Sequence, residues 1–200
     1  CMRCRTPSSR YPIWRASLVI GCECKRRARK LNKPIIRSFA PIANRNAEVL
    51  ILGSMPGNAS LAAGRYYAHP QNIFWRVMAT LLQFDTALLY RDRAQALKSA
   101  HIAVWDVLQS CTREGSLDAM IDREAERAND FAGFLRAHQS ITRVFFNGAT
   151  AEACFKRHVL PTIGAARLSY ARLPSTSPAN ASIPFERKLA AWRMILKSAG

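Results

Sequence analysis

Residues 53–75 read GSMPGNASLAAGRYYAHPQNIFW and bring several chemically capable groups into one short stretch. Asn72 carries an amide that donates and accepts at once. Pro70 suits the first turn of a helix, where a missing N–H costs least, so the spacing predicts a helix over 71–83 with Asn72 in its first turn. There Asn72 either caps the helix or holds a water beside the positive end of the helix dipole without itself becoming charged. Tyr66 and Tyr67 are either packing residues with wet hydroxyls or a platform for a planar base. His69 has the pKa range of a general acid or base, although a His before Pro more often bonds locally. The small residues at 57–64 let the backbone approach a ligand closely.

These groups need elements to hold them. The apolar run EVLIL at 48–52 predicts a buried strand whose carboxyl end opens into the Gly/Pro turn. Further strands are expected at 101–106, 142–147 and 167–173, alternating with helical patterns at 71–83, 91–99, 122–138, 149–158 and 185–198. Phe74, Val77, Met78, Leu81 and Leu82 fall on one helical face. Strands separated by helices imply an α/β fold: three layers, α/β/α, around a mostly parallel four-stranded sheet. Parallel strands would gather Gly53-Ser54, Asp106, Asn147-Gly148 and Ser175-Thr176-Ser177-Pro178 along one edge, where such sheets bind ligands. There is no internal repeat.

The 200 residues suit one domain with a tail, and 49% apolar content is ordinary for a globular chain. The charge is unusual. With 30 Lys+Arg against 13 Asp+Glu, the chain carries +17 and favours a polyanion, nucleic acid first. Residues 1–37 hold eleven basic residues and one acidic, Glu23; residues 38–200 hold nineteen and twelve. We therefore expect a basic tail over 1–37, either disordered or an extension from a misassigned start, and a folded domain over 38–200. The tail's Arg-rich, acid-poor character also mimics an organelle transit peptide. Cys1 and Cys4 form C-x-x-C and Cys22 and Cys24 form C-x-C. Thiolates so spaced can share zinc or an iron–sulfur cluster, but no structural motif surrounds them, and no metal or cofactor is expected. Cys111 and Cys154 read as reduced thiols of an intracellular protein. No apolar run reaches the roughly 18–20 residues of a membrane span. A cytoplasmic monomer acting on DNA, nucleoid-associated if bacterial, is the expectation.

Taken in order, GSMPGNASLAAGRYYAHPQNIFW, VWDVLQSC, EGSLDAMI, FFNGATA and LPSTSPANA resemble the motifs of the uracil-DNA glycosylase superfamily over about residues 38–198. The resemblance is to the branch that excises hypoxanthine (deoxyinosine), called family 6 and related to the mismatch-specific uracil/thymine glycosylases. The mismatch-specific branch places a catalytic Asn where this chain has Met55, which cannot position a water. In the hypoxanthine branch the Asn of His-Pro-x-Asn takes over, which implies a catalytic Asn72. The resemblance further implies that Tyr67 stacks on an extruded base. It implies that Asp106, with backbone groups of Gly53, Ser54 and Met55, reads the base edge. In the founding branch an Asn stands where Asp106 does. An ionised Asp only accepts hydrogen bonds, which suits the N–H of hypoxanthine and equally that of uracil; alternatively Asp106 caps the next turn. EGSLDAMI resembles a segment that flanks this pocket, while Ser116 and Asp118 equally read as N-cap signals of a short helix, the reading favoured here. Ser175, Thr176, Ser177 and Pro178 match the loop that pinches DNA phosphates, with no imidazole where the founding branch has one. Asn147 lies near the site by topology and His69 is a possible support.

The implied function is a monofunctional DNA glycosylase, with no lysine at a matched position for a lyase step. Uracil excision is the alternative substrate reading. A catalytically inactive DNA-binding module of the same fold is the alternative class, prompted by Met55. A hydrolase using Ser54 is disfavoured because no G-x-S-x-G is present.

Overall fold

The computed structural model describes residues 34–163 and 168–196. The four N-terminal cysteines and most of the expected tail lie outside these residues. The described elements belong to one structural unit, Ile35–Gly200. In chain order they begin with β1 (Ile35–Arg37), β2 (Val49–Gly53), α1 (Asn58–Ala63), α2 (Phe74–Leu82) and α3 (Tyr90–Ser99). Then come β3 (Ile102–Asp106), β4 (Leu108–Thr112), β5 (Arg127–Ala128), α4 (Phe131–Ala137), β6 (Arg143–Asn147), α5 (Ala149–His158), β7 (Ser169–Leu173) and α6 (Phe185–Trp192).

The main sheet has order β3-β2-β6-β7, all parallel. Every residue of β2 and β3 is buried, as expected for strands of a parallel sheet covered by helices on both faces. All four expected strands are found, each within two residues of its predicted bounds. Helix α2 buries Phe74, Trp75, Val77, Met78 and Ala79, and Gln83 ends it in the left-handed region, its N–H bonded to Ala79 O.

A second, antiparallel sheet of order β1-β4-β5 was not expected. Ile35–Arg37, assigned from sequence to the tail, pair with Ser110–Thr112, so the ladder reaches into the segment before residue 38. The helix expected over 122–138 forms only from Phe131, where the Asp130 carboxylate accepts from Gly133 N. The preceding residues form a 3-10 turn at Arg123–Ala125 and then β5. Glu126 is buried and binds both Arg157 and His158 of α5. That tertiary pairing overrides the local helical pattern. No helix among the described residues is long and apolar enough to cross a membrane.

Candidate active site

β2 and β3 run in a register that pairs Gly53 with Asp106, and both strands end at the same sheet edge as Asn147 of β6 and Leu173 of β7. A cavity of about 610 Å³ opens there. Its wall contains Gly53, Ser54, Met55, Tyr67, His69, Asn72, Asp106, Asn147, Ser175, Ser177 and Pro178. These are all the residues singled out from sequence for the site except Thr176.

Asp106 is 3% exposed. A Cβ on Gly53 would stand 2.4 Å from Asp106 Oδ1 and 3.4 Å from Tyr67 Oη, so only glycine lets carboxyl and phenol converge over this backbone. Among the described residues, Asp106 Oδ2 and Tyr67 Oη are both buried and make no hydrogen bond of ordinary length, the Asn147 amide being the side chain best placed to favour the phenolate. Each such orphan costs roughly 1–3 kcal/mol, which a ligand offering the missing partners would return. Burial first, and the neighbouring Asp118 carboxylate second, push the Asp106 pKa up to about 8 against the opposing pull of Arg113. At neutral pH that shift favours the protonated carboxyl, which donates as well as accepts, where the ionised form would only accept. Nor does it cap the following turn: its backbone oxygen takes Asn129 Nδ2 at 2.8 Å, and its carboxyl faces the cavity.

The paired tyrosines separate in role. Tyr66 is core: its hydroxyl donates to Phe39 O and Ala40 O, and its own carbonyl accepts from Trp75 Nε1. Tyr67 has φ of 54°, a left-handed conformation uncommon for a non-glycine residue, and this swings its ring away from Tyr66 to the cavity. The ring stacks on Phe74 with centroids 3.9 Å apart and planes 21° from parallel. Burial, then the nearby Asp106, raises its phenol pKa well above the ordinary value.

Asn72 lies before α2, not in its first turn. Its N–H donates to His69 O, its Oδ1 accepts from Phe74 N at 3.0 Å, and Ile73 N donates to Thr176 O. The turn displaces the start of the helix from 71 to Phe74. The bond from Phe74 N fixes which end of the Asn72 amide is oxygen. Asn72 Nδ2 has no protein partner among the described residues. His69 follows its local reading: Nδ1 accepts from Gln71 N.

Two clamps hold the loops. In the first, Ser54 Oγ donates to Asp118 Oδ2 at 2.7 Å, and Ser116 Oγ accepts from Asn58 N at the start of α1. The expected capping of their own short helix is thus replaced by bonds across the cavity mouth; the 3-10 turn Asp118–Met120 has no side-chain cap. Behind them Arg113 is 3% exposed, donating to Pro56 O at 2.6 Å and Gly115 O at 2.9 Å, with Asp118 Oδ1 3.8 Å away. Sequence reading missed Arg113, since nothing in CTREGS marks that arginine as buried. In the second clamp the Asn147 amide donates to Thr176 Oγ1 and accepts from Thr176 N. Thr176 is 1% exposed, so it anchors the loop instead of presenting a hydroxyl. Ser175 Oγ accepts from Ser177 N, Ser177 Oγ from Ala179 N, and buried Lys188 reaches Asn180 O at 2.7 Å. Gly148, with φ of 101°, leaves no room for a Cβ, which would sit 2.9 Å from Ser175 Cβ.

Among the described residues no cluster of three or more His, Cys, Asp or Glu side chains could hold a metal. Cys111 and Cys154 are buried free thiols; burial pushes their pKa values up to about 11 and about 12.

Comparisons with known proteins converge on one group. The profile of the Uracil DNA glycosylase superfamily matches residues 40–196. The chain is 37% identical over 113 residues to a protein of Methanosarcina barkeri named hypoxanthine DNA glycosylase, covering 56% of this chain and 70% of the relative. A protein of the same name from Methanosarcina acetivorans is 35% identical over 118 residues, covering 58% and 73%. Among solved structures, the solution NMR structure of a candidate uracil DNA glycosylase from Methanosarcina acetivorans superposes with a TM-score of 0.68 at 31% identity, covering 82% of this chain and all of that one.

Proposed function

The chain belongs to the Uracil DNA glycosylase superfamily, and on that premise we propose that it is a DNA glycosylase that hydrolyses the N-glycosidic bond of hypoxanthine in DNA. The two hypoxanthine DNA glycosylases to which it is similar support the substrate. The observation that carries the reading is the meeting of Asp106 and Tyr67 over Gly53, both with unpartnered buried oxygens, in the cavity that Asn72 also lines.

The glycosidic bond cannot be reached inside the stacked duplex, so the nucleotide is extruded into the cavity. The Tyr67 ring, backed by Phe74, stacks on the base. Hypoxanthine presents an N–H beside a C=O, and a neutral carboxyl answers both, accepting with one oxygen and donating with the other. A protonated Asp106 thus offers the donor–acceptor pair of the amide found at this place in the founding branch. Its hydrogen bond to the base oxygen also stabilises charge on the departing base. As the C–N bond breaks, positive charge grows on the sugar. Asn72, its amide fixed by Phe74 N–H, orients the water whose oxygen bonds the anomeric carbon; the water's proton is released to the departing base or to solvent. Ser175, Ser177 and Pro178 contact the DNA backbone in this reading, with Thr176 holding them in place.

The test is cleavage of matched duplexes carrying deoxyinosine or deoxyuridine, by this protein and by Asn72→Ala. Inosine cleavage that falls by about 10²-fold or more in the variant is expected, the scale of a lost acid–base or water-positioning group. Cleavage of uracil alone would overturn the substrate, and unaltered inosine cleavage by Asn72→Ala would overturn the role of Asn72.

A further inference from the structure

Behind the 67–72 turn lies a second cavity of about 340 Å³, lined by Arg65, Arg76, Arg93, Trp75, Tyr90 and Thr86. Tyr66, Tyr67, His69 and Asn72 line both cavities, so one turn of chain is the partition between them. Three arginines line this cavity, and no carboxylate is among its described lining residues. Arg93 lies over the Trp75 ring at 4.9 Å, Arg65 over Tyr90 at 6.0 Å and Arg76 over Phe185 at 3.9 Å. These aromatic faces hold the side chains in place without neutralising them. Arg93 Nε is buried and has no hydrogen-bond partner among the described residues. Burial first, and Arg65 second, lower the Arg93 pKa from its ordinary value. Like charges gathered in a concave, partly dry site are costly unless an anion completes them, and planar guanidinium groups suit a phosphate better than a single point charge would.

We propose that this cavity binds a phosphodiester of the DNA strand that carries the lesion, next to the extruded nucleotide. The inference rests on the glycosylase reading for the identity of the strand. With the base in the first cavity, the backbone on one side of it has to pass over the shared turn, and the arginines lie beyond that turn. The group is a phosphate by its chemistry, and the DNA source follows from the shared wall.

The full chain would be titrated by fluorescence anisotropy against short duplexes containing a tetrahydrofuran abasic analogue. In each duplex one phosphate beside the analogue is replaced by an uncharged methylphosphonate. For the wild type, one flanking position is expected to weaken binding about tenfold. In Arg65→Gln, which alters an exposed side chain and should fold, and in Arg65→Gln/Arg93→Gln, the penalty at that position is expected to vanish while the others persist. The slope of log affinity against log salt should become shallower by about 0.9 for each phosphate that the variant no longer neutralises. Unchanged slopes, or penalties equal in wild type and variants at every position, would overturn the proposal. So would variants that bind every duplex normally but lose binding of inorganic phosphate or of a polyglutamate peptide, since the cluster would then serve a free anion or an acidic protein. Inosine cleavage is measured on the same preparations. Loss of cleavage specificity with an intact positional effect would sink the substrate reading and leave the phosphate site standing; the reverse result would sink only the site.

Discussion

Asp106 links the chemistry to the stability of the fold. Its pKa rises from an ordinary 3.8 to about 8, chiefly through burial, so the folded chain holds a proton that the unfolded chain releases. Stability therefore declines as pH climbs from about 4 to about 8, because over that window the folded state binds more protons. Asp106→Asn removes the titration. We expect the variant to gain roughly 1–3 kcal/mol on the wild type at pH 8, less than the full shift because the neighbours relax, and to match it more nearly at pH 4; thermal denaturation at both pH values measures this. In the proposed reading the same proton governs recognition: kcat/KM for an inosine duplex should hold to about pH 7 and fall as Asp106 ionises near pH 8, while Asp106→Asn, with its permanent donor and acceptor, should not show that fall. A wild-type profile level through pH 9 would refute the neutral carboxyl. The sequence carries the type and position of Asp106 but not its protonation state. That state depends on Gly53 lying against it, on Tyr67 closing over it and on Asp118 twelve residues further on. The division between Tyr66 and Tyr67 is similarly hidden, since it rests on one left-handed backbone angle.

At the scale of elements, the site depends on loops tied to one another across the sheet edge. Asn147 and Thr176 exchange two hydrogen bonds and Thr176 O accepts from Ile73 N, so β6, the 174–180 loop and the turn carrying Asn72 form one connected unit. Thr176→Val keeps the shape but leaves Asn147 Nδ2 without its acceptor. We expect a loss of about 1–3 kcal/mol in denaturant unfolding together with lower cleavage activity, as Asn72 loses its support. Ser175→Ala gives up only a local loop bond and should lower DNA affinity with a much smaller stability change. If Thr176→Val instead keeps full stability and only weakens DNA binding, Thr176 contacts DNA directly. The parallel strands were legible because each is a buried apolar run closed by a turn signal, and their polar ends led to the cavity. The antiparallel sheet was not legible: β1 and β5 have only three and two residues, too few for a period to show. Arg113 was missed for the complementary reason, since its burial comes from backbone carbonyls of Pro56 and Gly115 that fold around it.

At the scale of the whole molecule, positive charge is densest in a part of the chain that precedes the chemistry. Eleven of the 30 basic residues fall within residues 1–37, with a single acidic residue there, whereas the superfamily match begins at residue 40 and the described residues that line the cavity start at Gly53. Positive charge raises affinity for any duplex by releasing counterions, irrespective of sequence or lesion. In the proposed reading, base extrusion and bond cleavage depend instead on Tyr67, Asn72 and Asp106. The two contributions should therefore separate. A chain shortened to residues 34–200 is expected to bind undamaged duplex more weakly and with a shallower salt dependence than the full chain. Once enzyme is saturating, its single-turnover rate on an inosine duplex should be unchanged, because saturation removes the binding term and leaves only the steps within the cavity. Anisotropy across a salt series measures the first quantity, and rapid-quench cleavage with enzyme in excess measures the second. A drop in the saturated single-turnover rate would mean that the basic segment acts after binding, on extrusion or cleavage, and that the site is larger than the cavity at the sheet edge.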